Sequence, residues 1–175
     1  MTADRLSRKT LSLDCDTLYF SNVLAAFREL PAGVSTSFYF IDKGDKPIFS
    51  YLQLDSDGTI TDIREKVPIS KNANTGGYAF SSGTLLRKYC MHVLDGASGA
   101  TGEFYISGVI KKMVEDGHTF KGLYVPDFAC VGTPWQLSAF LQRIARNEVK
   151  TSRKMRFVFD LVRCFTAMPS ARLRF

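Results

Sequence analysis

The chain has 175 residues, 45% hydrophobic and 13% aromatic, one domain's worth of sequence with enough apolar content to bury a core, which excludes a disordered chain. Its net charge of +6 is unevenly held: residues 141–175 carry nine Lys and Arg against two Asp and Glu, whereas residues 1–140 carry 14 against 15. No apolar run approaches the roughly 18 residues that span a bilayer, and four scattered cysteines (Cys15, Cys90, Cys130, Cys164) with two histidines exclude a paired-cysteine zinc site.

In chain order, residues 1–10 are polar with no secretory pattern, and "KTLSLDCD" reads as a short buried strand, apolar at Leu11 and Leu13 and ending in acids. "SNVLAAFREL" follows as a helix, with Ser21 as N-cap and Val23, Phe27 and Leu30 on one face. "VSTSFYFI", "PIFSYLQLD" and "TITDIRE" alternate like strands, the last two joined by the hairpin signal "SDG". "ANTGGYAF" is a further strand. Two amphipathic helices come next, with Leu86, Tyr89, Cys90 and Val93 on one apolar face and Ile106, Val109, Ile110, Met113 and Val114 on the other; the second stops at Gly117. "TFKGLYV" is a strand, and "TPWQLSAFLQRIARNE" is a helix capped by Thr133, with Pro134 in its first turn and Leu137, Phe140, Leu141 and Ile144 facing inward. "MRFVFDL" reads as one more strand. Interleaved strands and helices predict an α/β fold with a mixed sheet. The thiols are expected to be reduced, as in a cytoplasmic protein.

Two local features carry chemistry. Glu65 and Lys66 set an acid beside a base at a strand end, followed by the glycine-split "ANTGGYAF"; on local grounds alone this is a charged strand end, a polar loop and a second strand. Asp14 and Asp16 stand two apart, so on a strand they would point to one side.

Five stretches, in order, resemble the sugar-1-phosphate nucleotidyltransferase family: "LSLDCDTLYF", "DSDGTITDIREK", "ANTGGYAF", "GEFYISGVI" and "VGTPWQL". They match in turn that family's strand ending in a metal-binding aspartate, its D-x-x-G-x-V-x-x-I-x-E-K-P run, its A-x-T-G-x-Y-x-F strand, its G-E-x-x-I-[ST]-x-[VI] helix start and its x-G-T-[PA]-x-x-L turn. The resemblance covers residues 9–142. It implies a mixed-sheet, three-layer, Rossmann-like α/β fold, and a reaction in which a sugar 1-phosphate attacks a nucleoside triphosphate to give a nucleotide sugar and pyrophosphate. By resemblance Glu65 meets sugar hydroxyls, Lys66 holds the phosphate and is the catalytic residue, and Asn74, Thr75, Gly76 and Glu103 complete the substrate site. Asp16, with Asp14 as second candidate, would hold Mg²⁺.

The departures from the family are equally specific. The glycine-rich loop that cradles the triphosphate has no counterpart: "DGASGATGEF" lies between two helices and lacks the basic residues. Cys130 stands where many members have a second metal-binding aspartate, and Ser50 where bacterial members have a sugar-contacting glycine. Residues 1–145 are therefore expected to form the second half of the family fold, inactive alone, with nucleoside triphosphate bound only if the missing segment is supplied. Residues 146–175 are expected to form a basic segment with one strand, in which "KMRFVFDL" resembles the start of the haloacid dehalogenase superfamily, Asp160 matching its nucleophile and Val162 replacing its second acid. A second reading is a non-catalytic sugar-phosphate-binding or regulatory module, with an exposed sheet edge favouring self-association or a protein partner. Nucleic-acid binding by the basic tail, which lacks clustered aromatics, is a third. No membrane association is expected.

Overall fold

In a computed structural model that describes residues 8–96, 103–146 and 148–149, the chain divides into two units, Met1–Phe128 and Ala129–Phe175. The elements of the first unit are β1 (Thr10–Leu13), β2 (Thr17–Tyr19), α1 (Val23–Glu29), β3 (Ser35–Ile41), β4 (Ser50–Leu54), β5 (Ile60–Glu65), β6 (Asn72–Phe80), α2 (Gly83–Gly96), α3 (Ile106–Glu115) and β7 (Phe120–Tyr124). β8 (Phe128–Cys130) crosses the boundary, and α4 (Pro134–Ala145) lies in the second unit. No helix among the described residues is long and apolar enough to cross a membrane. The strand expected within residues 146–175, with Asp160, lies outside the described residues.

β6 organises the sheet. One flank pairs antiparallel with β3, which pairs in parallel with β7. The other flank is shared: Ala73 lies opposite Tyr51 of β4, while Gly77 to Phe80 lie opposite Leu13 to Thr10 of β1. β4 continues into the β4–β5 hairpin, where Asp55 caps the turn by accepting from Thr59 N (2.8 Å) and Gly58 takes φ +80°. The path is thus β5-β4-β6-β3-β7 with β1 beside β6, the mixed sheet expected.

Side-chain alternation along β6 separates two cores. Tyr78 and Phe80 point to α2 and α3, packing with Leu52, Ile60, Ile63, Leu86, Tyr89, Ile110, Met113 and Phe120. Ala79 points the other way, to Val23 and Phe27 of α1, Phe38 and Val125. Helices therefore cover both faces, giving three layers. Phe80 and Phe120, both fully buried, meet edge to face at 5.9 Å, a geometry that adds to the roughly 1.5–3 kcal/mol of burying each ring.

Several local expectations are corrected. Asn22, not Ser21, caps α1, its Oδ1 accepting from Ala25 N at 3.0 Å. Leu13 is exposed rather than buried, because β1 has a strand on one side only among the described residues. β2 has no counterpart in the sequence reading; three residues are too few to show a period. In α4, Thr133 and Gln136 form the capping box and Pro134 opens the helix, but of the four inward positions only Phe140 is buried and Leu137 is exposed.

A polar clamp ties α2 to the end of α3. The Tyr89 hydroxyl donates to Asp116 Oδ2 and Lys112 Nζ donates to Asp116 Oδ1, both at 2.8 Å, while His118 Nε2 lies 3.1 Å from the Tyr89 oxygen. The Lys112 bond, then the Tyr89 bond, hold the Asp116 carboxyl below its usual range. A depressed folded-state value means that the clamp contributes fully above the ordinary carboxylate pKa and is lost as pH falls through the lower folded value. Asp116→Asn should flatten the acid limb of the stability curve below about pH 4, measured as urea midpoints; an unchanged pH slope would show that Asp116 adds nothing to it.

Candidate functional site

The site begins with an irregularity in β6. Across the β3–β6 register, Ser37 faces Tyr78 and Tyr39 faces Asn74, so Phe38 alone stands opposite Thr75, Gly76 and Gly77. This bulge is stapled from within. Asn74 Nδ2 faces three acceptors, Ser37 Oγ (2.5 Å), Phe38 O and Gly77 O (both 3.1 Å), and Asn74 Oδ1 accepts from Gly76 N at 2.5 Å. Thr75 Oγ1 donates to Phe38 O at 3.1 Å and lies 2.9 Å from the Tyr19 hydroxyl. Both side chains are buried. Asn74 and Thr75 are thus brought to the site, but their polar atoms shape the bulge instead of facing outward.

Gly76 takes φ +83°, and the Asp14 carboxylate lies where its Cβ would be. Asp14 N donates to Gly76 O at 2.8 Å, so the strand-end acid is pinned over the bulge. Asp14 and Asp16 follow the end of β1, in a turn, and the alternation expected of a strand does not relate them. Partial burial, then the Asp16 charge, push the Asp14 carboxyl up. Carboxylate oxygens are the hard donors that Mg²⁺ takes, one or two carboxylates from a protein with water and phosphate filling its octahedron. No group of three or more His, Cys, Asp or Glu is placed for a metal among the described residues.

The opposite rim is built where β4 meets β5. Ser50 and Glu65 are direct cross-strand partners. Glu65 Oε2 accepts from Ser50 Oγ at 2.5 Å and from Ser107 Oγ, in the first turn of α3, at 3.0 Å. Lys66 follows with φ 53°, the only non-glycine residue with positive φ among those described; its N–H donates to Phe49 O at 2.9 Å. Lys66 Nζ donates to the Tyr105 hydroxyl at 2.9 Å and lies 4.9 Å from the centre of that ring. The Tyr105 hydroxyl in turn donates to Glu103. The Tyr105 hydrogen bond, with the charges of Glu103 and Glu65 assisting, raises the Lys66 pKa and keeps the ammonium charged. A cavity of about 320 Å³, lined by Glu65, Glu103, Tyr105, Ser107 and Lys111 among others, opens on this rim.

Tyr78 connects the two rims. Its phenol sits among Asp14, Ser50 and Glu65, and burial, then the Asp14 charge, push it well above its usual range. It therefore stays neutral, a hydroxyl between two carboxylates. A larger cleft of about 540 Å³ lies elsewhere, between Asp42, Lys43, Tyr51, Pro68 and Lys71. There Asp42 accepts from the Tyr51 hydroxyl (2.6 Å) and from Gly44 N (2.9 Å), so its acid is spent on local structure.

The structure thus brings Glu65, Lys66 and Glu103 together on one rim and Asp14, Asp16 and Gly76 on the other, with Asn74 and Thr75 forming the floor between them. Tyr105, Ser107, Tyr78 and Tyr19 escaped the sequence reading, and Ser50 figured only as a departure. The pairing of position 50 with 65 is a matter of register, and the approach of α3 is a tertiary contact; neither leaves a local signal.

No family model matches the chain, and no curated protein does. Solved structures do. A nucleoside-diphosphate-sugar pyrophosphorylase from Vibrio cholerae matches with TM-score 0.62 and 17% identity over 77% of this chain and 56% of its own. A protein described as a glucose-1-phosphate thymidylyltransferase from Bacillus anthracis matches with TM-score 0.62 and 14% identity over 86% and 59%. The CTP:phosphocholine cytidylyltransferase of Streptococcus pneumoniae matches with TM-score 0.57 and 18% identity over 78% and 57%. The fold is that of the sugar-phosphate nucleotidyltransferases, as the sequence motifs led one to expect, and the chain spans little more than half the length of these neighbours.

At Gly76 a side chain would meet both an unfavourable φ and Asp14. Gly76→Ala should cost about 1–3 kcal/mol in denaturant unfolding. Adding Asp14→Ala should recover only the collision part, because the backbone conformation still disfavours a Cβ; strictly additive effects of the two substitutions would show that they do not meet.

Proposed function

We propose that this chain carries the acceptor half of a nucleotidyltransferase site and binds a sugar 1-phosphate, for the reaction that joins it to a nucleoside triphosphate and releases pyrophosphate. The observation that carries this reading is the rim itself: a carboxylate fixed by two serines beside an ammonium fixed by a tyrosine, facing an aspartate pair across the floor formed by Asn74 and Thr75. In it, Glu65 accepts sugar hydroxyls and Lys66 holds the phosphate as a point charge. Tyr105 orients Lys66, and Glu103 orients Tyr105. Asp14 and Asp16 would hold Mg²⁺, which when bound neutralises charge on the phosphates. The chain's own part is positioning: it sets the acceptor phosphate between the two rims.

Triphosphate binding is assigned to none of the described residues, and the nucleotide would be met by a segment beyond them. A non-catalytic sugar-phosphate receptor would use the same rim, and turnover with added nucleoside triphosphate separates the two. Cys15 and Cys90 are free thiols, which suits the reducing cytoplasm that this reading assumes.

Calorimetric titration with a panel of sugar 1-phosphates, then nucleoside triphosphates, each with Mg²⁺, tests the proposal; binding of no sugar 1-phosphate would end it. Lys66→Ala should weaken sugar 1-phosphate binding roughly 10- to 100-fold, the effect of losing one charge-assisted hydrogen bond. The melting temperature should hold, because the ammonium is at the surface. Unchanged affinity would remove Lys66 from the phosphate role.

A further inference from the structure

The sugar-phosphate reading leaves open how Glu65 grips its acceptor, and its hydrogen bonds limit the answer. A carboxylate offers about two lone-pair sites on each oxygen. On Glu65 both donors from the chain, Ser50 Oγ at 2.5 Å and Ser107 Oγ at 3.0 Å, go to the same atom, Oε2. That oxygen is filled. Among the described residues no hydrogen bond reaches Oε1. Ser50 and Ser107 are themselves buried, so water does not readily replace either donor. They also come from separate elements, Ser50 from the strand paired with Glu65 and Ser107 from α3, so the carboxylate is held from two directions and cannot turn to exchange its oxygens without breaking both bonds.

We propose that Ser50 and Ser107 are positioning residues that reserve Oε2 and present Oε1 alone to the acceptor, so that Glu65 reads the sugar through one oxygen. The common two-oxygen grip on neighbouring hydroxyls, one hydroxyl per carboxylate oxygen, is then closed. The consequence is a specificity rule for the acceptor: this carboxylate enforces one ring position and tolerates change at the adjacent one. The inference rests on the sugar-phosphate reading and adds to it the role of position 50.

The test is calorimetric, on the intact chain with Mg²⁺, using α-D-glucose 1-phosphate and its 2-, 3-, 4- and 6-deoxy analogues as probes. Ser50→Ala frees one site on Oε2. The set of deoxy analogues that bind worse than the parent sugar should then grow by one, the new member losing roughly tenfold or more, as for a hydrogen bond to a charged group. Ser50→Thr, which keeps the hydroxyl on a strand that suits a β-branched residue, should restore the original set. Affinity for inorganic phosphate, which reports on Lys66, should be the same in all of these. Ser107→Ala provides the same comparison if Ser50→Ala fails to fold. An identical set of rejected analogues before and after the substitution would overturn the inference while leaving sugar-phosphate binding in place. Failure of the unaltered chain to bind any of the probes would instead overturn the underlying reading, and this inference with it.

Discussion

The hydrogen bonds of one buried side chain, Asn74, hold the arrangement on which the site depends. β6 must pass three residues over the space of one at Phe38, and a bulge of that size leaves backbone groups without ladder partners. Asn74 supplies both kinds of partner: its amide nitrogen serves Phe38 O and Gly77 O, and its oxygen serves Gly76 N. An uncharged amide carries two N–H donors and a separate acceptor oxygen at the same end, one donor more than a hydroxyl. Asp would offer no donor at neutral pH and Leu neither, so either replacement would leave buried backbone groups unpaired, at about 1–3 kcal/mol each.

What the bulge does is keep β1 and β4 apart on one flank of β6. β4 pairs only at Ala73, β1 only from Gly77 onward, and the interval between is paired by neither strand. The floor of the site is this interval. Its narrowness places Asp14 on one side and Ser50 with Glu65 on the other, close enough that the single phenol of Tyr78 feels both acids. Negative charge therefore frames the cleft, with Lys66 at its rim as the counter-charge. An anionic acceptor entering such a site needs positive charge, which Lys66 and the cavity-lining Lys111 offer on one rim and a cation at Asp14 and Asp16 would offer on the other in the proposed reaction.

Much of the layering was legible because it is local. The helical spacing of Leu86, Tyr89, Val109, Ile110 and Met113 marks the faces that pack on the sheet, and Thr133 with Pro134 marks the start of α4. The Glu65–Lys66 pair and Gly76 stand out locally as a charged strand end and a glycine split, whereas Asn74 and Thr75 spend their polar atoms inside the strand. What the sequence did not disclose is register and approach. Nothing local says that Ser50 will face Glu65, that Ser107 will reach the same oxygen from a helix 42 residues on, or that Tyr105 will come within 2.9 Å of Lys66. Asp14 illustrates a subtler failure, since the strand ends one residue before it and the alternation that should align it with Asp16 stops there.

The backbone at position 66 bears on what that residue is for. A left-handed conformation costs an ordinary residue roughly 1–2 kcal/mol relative to its usual regions, and glycine or asparagine would turn the chain there more cheaply. The turn itself needs only the backbone bond from Lys66 N to Phe49 O, which either of those residues could make. A fold selecting for stability alone has no use for a lysine at this point. Its side chain also adds little in compensation, because an exposed ammonium over a tyrosine is worth about 0.5–1 kcal/mol. The balance is close to zero or unfavourable, so the identity of residue 66 is better explained by the placing of its charge than by the folding of the loop. Strain of this kind at the end of a strand, beside a fixed carboxylate, persists only because the surrounding structure holds it, and it accords with the phosphate-holding role proposed for Lys66.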